Sequence, residues 1–155
     1  MDKKQYSEEI KKFYTEQTVV WPENDKWHMH THCYINDYVS DKINSIYKKN
    51  MKILNAGSGG NTYGLTQEMY HIDVADNKIK HFPLYSKASI EDIPYNNEFF
   101  DICICVGTVI NYTNASRSMD EFYRVLKPGG SLVLEFENSG NPEFRKYPCD
   151  EAGKK

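Results

Sequence analysis

The chain has 155 residues, enough for one buried core and one domain. Its 19 basic and 22 acidic residues leave a net charge of −3, so neither nucleic acid nor an anionic membrane is offered clustered positive charge. No apolar run approaches the roughly 20 residues a membrane span needs, and Met1 to Lys12 is charged throughout, unlike a secretory leader, so a cytoplasmic protein is expected.

Ser7, followed by Glu8 and Glu9, can cap a first helix with Ile10, Phe13, Tyr14 and Gln17 along one side, stopping before Pro22. The loop from Val19 to Trp27 carries Trp21 and Trp27, aromatics that either cover a pocket or anchor the loop to the core. A second helix is expected between His30 and Lys49, because Ile35, Val39, Ile43 and Ile46 form a stripe. His28, His30, His32 and Cys33 are metal-ligand types. No second ligand group of matching spacing accompanies them, and helical spacing turns His30 away from His28 and His32, so no metal site is assigned.

The next stretch, Met51 to Thr62, organises the rest. A short apolar run ends in Gly57-Ser58-Gly59-Gly60, the pattern of a buried parallel strand that brings bare backbone against a ligand. Thr62 stands where a dinucleotide fingerprint would have its third glycine, which argues against a nicotinamide cofactor. Between Gly60 and Tyr70 there is room for two helical turns at most, and Gly64 weakens even those, so a loop or stub helix is expected. A second apolar run, Tyr70 to Asp73, closes on an acid sixteen positions after Gly57, where a carboxylate can accept bonds from both ribose hydroxyls.

A brief helix over Asp76 to His81, stopped by Pro83, precedes a third strand over Tyr85 to Ser89. The fourth, Asp101 to Val106, is almost uninterruptedly apolar, as at the centre of a parallel sheet, and faces Cys103 and Cys105 to one side as buried reduced thiols. Ser118 and Glu121 have capping-box spacing, opening a helix whose Met119, Phe122, Val125 and Leu126 should pack inward. Pro128-Gly129-Gly130 should end that helix and lead into a fifth strand, Ser131 to Phe136, with no strand signal beyond Glu137.

The glycine turn, Asp73, Glu91-Asp92-Ile93-Pro94-Tyr95, Phe100-Asp101 and Arg124-Val125-Leu126-Lys127-Pro128-Gly129-Gly130, in that order, resemble the class I S-adenosylmethionine-dependent methyltransferases over roughly Lys52 to Glu137. The resemblance implies an α/β, Rossmann-like doubly wound fold with a mainly parallel sheet in the order 3-2-1-4-5, lacking the last two strands the family usually adds. One domain would comprise a helical lid (1–50), a cofactor-binding core (51–137) and a polar tail (138–155). S-adenosyl-L-methionine would be the cofactor and S-adenosyl-L-homocysteine the product.

Cofactor contacts then fall to Asn55, Gly57, Ser58, Gly59, Asp73 and Val74, with Ser89 and Ile90 beside the adenine and the carbonyls of Val106 and Gly107 on the amino group. Asn55 replaces the family's usual acid, and its amide can still accept a bond from the turn. Tyr14, Trp21 and Trp27 are candidates to cover the sulfonium, and His28, His32 and Tyr112 to accept a proton. Gly107 to Tyr112 lacks the Pro-Pro-aromatic run of amino-directed DNA methyltransferases, and Pro148-Cys149 lies beyond the fifth strand, so a small molecule or peptide methylated on O or N is expected. A cofactor-binding module without turnover is the alternative. The open edge of the fifth strand implies a homo-oligomer or a covering partner.

Overall fold

The computed structural model describes residues 3–16 and 26–136; within the two N-terminal helices the side chains described are 8, 9, 12–16 and those from 30 onward. Helices α1 (Lys3–Glu16) and α2 (Lys26–Ile46) precede strands β1 (Ile53–Ala56), β2 (Met69–Asp73), β3 (Tyr85–Lys87) and β4 (Phe100–Cys105), followed by helix α3 (Ala115–Val125) and strand β5 (Leu126–Leu134). All strand pairs are parallel, in the order β3-β2-β1-β4-β5, the topology expected of the fold class.

The period of two along each strand divides the core between the two sheet faces. Ile53, Met69, Ile102, Ile104 and Val133 join Ile35, Val39 and Ile43 of α2 on one side. Leu54, Ala56, Ile72, Cys103 and Cys105 join Phe122 and Val125 of α3 on the other, together with Phe100, which a register shift before Ile102 takes out of the alternation. All four residues of β1 are buried, because the strand is central and covered on both faces. Cys103 and Cys105 are free and share the α3 face; burial pushes the Cys105 thiol up to about 12.

Several expected boundaries move. Helix α2 starts at Lys26, so Trp27 and the histidines lie inside it: neither Pro nor Gly interrupts residues 26–46. No helix forms between Gly57 and Glu68, where Gly57, Gly59, Gly60, Tyr63 and Gly64 all take positive φ. Helix α3 is capped by Asn114, whose side chain accepts from the Arg117 amide at 3.2 Å, and not by Ser118. Ser118 is instead buried one turn in, its hydroxyl 3.0 Å from that of Thr113. Met119, expected in the core, is 41% exposed. Strand β5 begins at Leu126, directly after α3, and Lys127 to Gly130 bulge out between the pairs Phe100–Leu126 and Ile102–Ser131. The loop Val19 to Asp25, with Trp21, and the tail 138–155 lie outside the described residues.

Charged side chains anchor the amino ends of the strands. Arg124 donates through Nε and an Nη to Glu121 at 2.8 and 2.7 Å and caps the carbonyls of Ile93 and Tyr95 at 2.8 and 2.7 Å. Glu121 also accepts from the Ile93 amide at 2.7 Å, and Arg124 chiefly holds its carboxyl below the usual range. Lys127 reaches both oxygens of Asp101 at 2.8 Å, and the Lys52 amide adds a third bond at 2.8 Å. Alongside, Tyr70 packs edge to face on Tyr95, Phe99 and Phe100, with Lys52 Nζ 3.7 Å over the Phe99 ring.

Candidate active site

At the opposite, carboxyl ends of the strands, the turn after β1 and the end of β2 are knit together. The Gly57 amide donates to the Ile72 carbonyl at 2.8 Å, and the Gly59 amide to Asp73 Oδ2, also at 2.8 Å. The other Asp73 oxygen accepts from the Ala75 amide at 2.8 Å. Burial pushes the Asp73 carboxyl up, opposed by the amides of Ala75, Gly59 and Val74 and by Lys78. A carboxylate offers about four lone-pair sites, so these three amides still leave acceptor capacity for a hydroxyl donor.

Gly57 has φ +67°, and a Cβ built there would lie 2.6 Å from Val109 Cγ1, so the β4 loop packs directly on the glycine backbone. Gly60 is equally confined, its virtual Cβ falling 2.7 Å from the Lys78 carbonyl. Beneath the turn, the Ser58 hydroxyl accepts from the Gly60 amide at 3.3 Å and lies 3.3 Å from His71 Nδ1. His71 is 2% exposed and stacks on Phe82 at 3.7 Å; burial and then His81 push it down to about 4. Its ring is therefore a neutral support, with no proton of its own to trade near neutrality.

Asn55, fully buried, holds the far end of the turn. Its Nδ2 donates to the Asn61 carbonyl at 2.8 Å and its Oδ1 accepts from the Tyr63 hydroxyl at 3.1 Å. The amide uses both halves, so a donor supplies half of what an acid there would do by accepting. Asn61 then reaches α2: its Nδ2 donates to Asn36 Oδ1 at 2.8 Å, with His32 Nε2 at 3.4 Å. The Tyr63 amide on Asn61 Oδ1, at 2.9 Å, fixes which way that side chain faces.

After β4, Val106 is buried, and the Thr108 hydroxyl donates to the Gly107 carbonyl at 2.7 Å. Thr108, at φ 60°, is held by Glu135, whose Oε2 accepts its amide at 2.7 Å. Helix α1 crosses this edge: Tyr14 lies 6.0 Å from Tyr112, and Asn77 donates to the Thr15 carbonyl at 3.2 Å. Between α1 and the sheet is a hollow of about 340 Å³, lined by Glu8, Lys12, Thr15, Glu16, Val74 and Lys87.

The residues named from the sequence thus distribute unevenly. Asn55, Gly57, Ser58, Gly59 and Asp73 converge; Val74, Tyr14 and Tyr112 lie under or beside α1; His32 reaches the turn through Asn61. Ser89 accepts from the Glu91 amide at 3.2 Å, shaping its own loop, and Ile90 is buried in the α3-side core. The side chains of His28 and Trp27, and all of Trp21, lie outside what is described. Asn36, Asn61 and His71 escaped the sequence reading. The only signal for them was polar character beside apolar runs, which many surface residues share.

A parallel sheet with a glycine turn and an acid meeting at its carboxyl edge defines the nucleoside-binding class of α/β folds. Residues 48–134 match the family described as "Methyltransferase domain". That is more than half of the chain, and the chain belongs to this family, within the class I S-adenosylmethionine-dependent methyltransferases.

Among curated relatives, a demethylmenaquinone methyltransferase of Lactobacillus johnsonii is 33% identical over 92 residues, covering 56% of this chain and 38% of the relative. A mitochondrial 2-methoxy-6-polyprenyl-1,4-benzoquinol methylase of Xenopus laevis is 39% identical over 57 residues, 36% of this chain and 18% of the relative. A ubiquinone/menaquinone biosynthesis C-methyltransferase of Methylococcus capsulatus is 35% identical over 75 residues, 47% and 30% of the two chains. Each match spans less than two fifths of the relative.

Among solved structures, the [4+2]-cyclase SpnF superposes with a TM-score of 0.64 at 19% identity, over 81% of this chain and 58% of its own. A Methanococcus maripaludis protein described as an S-adenosyl-L-methionine-dependent methyltransferase gives 0.53 at 16% identity, over 99% and 80%. These share the fold. That one is described as a cyclase illustrates that the fold alone does not fix the reaction. Among the described residues no group of His, Cys, Asp and Glu could hold a metal ion, and no helix is long and apolar enough to cross a membrane.

Proposed function

We propose that this chain binds S-adenosylmethionine across the carboxyl ends of β1, β2 and β4 and transfers its methyl group to a small-molecule acceptor. The observation that carries the reading is the convergence of Gly57, Gly59 and Asp73, with the Gly59 amide bonded to the Asp73 carboxylate at 2.8 Å. Asp73 would receive the ribose hydroxyls, bare backbone at Gly57 and Gly59 would admit the rest of the nucleoside and the methionine, and the Val106 and Gly107 carbonyls would take the amino group. Ser89 and Ile90 would flank the base. Tyr14, over Tyr112, is suited to face the sulfonium, whose charge is attracted to ring faces.

In the reaction the acceptor atom attacks the methyl carbon in line as the carbon–sulfur bond breaks. Bound S-adenosylmethionine would supply the methyl group and be left as a neutral thioether, and the acceptor's proton would pass to a base on the chain or to solvent. Positive charge would pass from sulfur to the acceptor and leave with its proton, so alignment and exclusion of water supply most of the acceleration. α1 and α2 would form the cover, with His28, His32 and Tyr112 as candidate proton acceptors. Oxygen or nitrogen was the expected acceptor atom, whereas one of the relatives is named as a C-methyltransferase and all three carry quinone or quinol names. A ring carbon of a hydroxylated aromatic is therefore the first acceptor to assay, ahead of a phenol oxygen or an amine.

Titration calorimetry with S-adenosylhomocysteine tests the cofactor half, and a preference for NAD would sink it. Mass spectrometric location of a transferred methyl on a hydroxylated aromatic tests the acceptor half; binding without turnover on any acceptor would favour the non-catalytic module. Among the described residues β5 pairs only with β4, so we also read its other side as covered by a second copy or a partner in a cytoplasmic assembly. A monomer by light scattering would refute that.

A further inference from the structure

The glycine turn has an unusual mechanical problem. Five of the eight residues from Gly57 to Gly64 take positive φ, and no helix follows to hold them. A chain this free in the unfolded state loses more entropy when its backbone is fixed in one conformation against a ligand. Something outside the turn must hold it.

Asn61 does so with every polar group it has. Its amide donates to the Ser58 carbonyl at 2.9 Å, its carbonyl accepts from Asn55 at 2.8 Å, and its Oδ1 accepts from the Tyr63 amide at 2.9 Å. Its Nδ2 donates outward, to Asn36 on α2. Asn36 is half-buried in a helix interior, where an amide side chain favours the helix less than Leu would. Its Nδ2 lies 3.3 Å from His32 Nε2, so the pair sits on the stretch of α2 that meets the cofactor edge.

We infer that Asn36 and Asn61 are positioning residues for the cofactor, a bond between α2 and the glycine turn that sets the path of the turn's backbone before the nucleoside arrives. The inference rests on the reading that S-adenosylmethionine binds at this turn. Binding free energy and the Asn36–Asn61 bond are then linked: what loosens the bond weakens the ligand, and the ligand in turn steadies α2.

The test measures S-adenosylhomocysteine binding by calorimetry, and melting temperature, on the full chain and four variants, Asn61→Ala among them. Asn36→Leu should weaken binding about 5-fold or more, the lower end of such couplings, while in the melting temperature the better helix propensity of Leu offsets part of the lost bond. With turnover measured, the Michaelis constant for the cofactor should rise while kcat at saturation stays unchanged. Asn36→Asp, which keeps the acceptor oxygen, should restore most of the affinity. Asn36→Leu added to Asn61→Ala should cost nothing further, since the two act through one bond. Unchanged affinity in Asn36→Leu, failure of Asn36→Asp to rescue, or additive losses in the double variant would each overturn the inference while leaving cofactor binding intact. A parent chain that binds no S-adenosylhomocysteine would overturn both.

Discussion

The two ends of the strands are held by different chemistry. At the amino ends, full charges meet at short range: Lys127 on Asp101, and Arg124 on Glu121 and two carbonyls. At the carboxyl ends the turn is held by neutral amides, two hydroxyls and an uncharged imidazole, with Asp73 as the carboxylate in contact with it. At the amino ends the full charges are spent on one another and on backbone carbonyls. The carboxyl ends keep acceptors only partly used, which is the condition a ligand site needs. Stability and binding should therefore separate along the strand axis, and substitutions can test that separation.

The largest effect is expected at Asp73. Asp73→Ala removes a charged acceptor of the kind worth about 1.5–3 kcal/mol per bond, so S-adenosylhomocysteine affinity measured by calorimetry should fall roughly 10- to 150-fold. Unchanged affinity would refute its role on the ribose. Arg124→Ala should do the reverse, lowering the unfolding free energy in denaturant titration by about 2 kcal/mol, because the Ile93 and Tyr95 carbonyls and Glu121 lose their donor. Binding by the folded fraction should be unaltered. An Arg124→Ala chain that keeps its stability but loses the ligand would erase the distinction between the two ends.

Acidification should strain the binding end first. His71 sits at about 4 in the folded chain against an ordinary value of 6.5, so the unfolded state binds more protons between those limits. The sign follows: its contribution is complete above pH 6.5 and is lost as pH falls toward 4, about 2 kcal/mol at pH 5. Urea midpoints of the parent and His71→Gln at pH 7 and pH 5 measure this, and an equal drop in both would remove His71 as the cause. The smallest effect is expected from Lys52→Met, which removes a cation from the Phe99 ring at the amino end and should cost about 0.5 kcal/mol without touching binding.

The strands were legible as apolar runs of strand length separated by glycines and acids, whereas their order in the sheet came from the family resemblance. Gly57 and Asp73 were legible from the same runs, since each ends one. Capping was not: Ser118 and Glu121 have the right spacing, but Glu121 finds Arg124 one turn later and Asn114 takes the cap. The start of α2 was misplaced because the histidines and Trp27 looked like loop chemistry, while helices are stopped by Pro or Gly and none intervenes. Asn36 and Asn61 stand 25 positions apart, and only the folded chain brings them together. Asn55 was found, but its donor half was not foreseen.

The Arg124 clamp also bears on how such chains can be recombined. Helix α3 and the loop around Ile93 and Pro94 lie about thirty positions apart in sequence, yet one guanidinium closes both. A chimera cut between them would inherit the arginine from one parent and the carbonyls it caps from another. Crossovers placed before residue 90 or after residue 125 keep the clamp whole, so the exchangeable unit is the block from Ile90 to Val125 and not the individual helix.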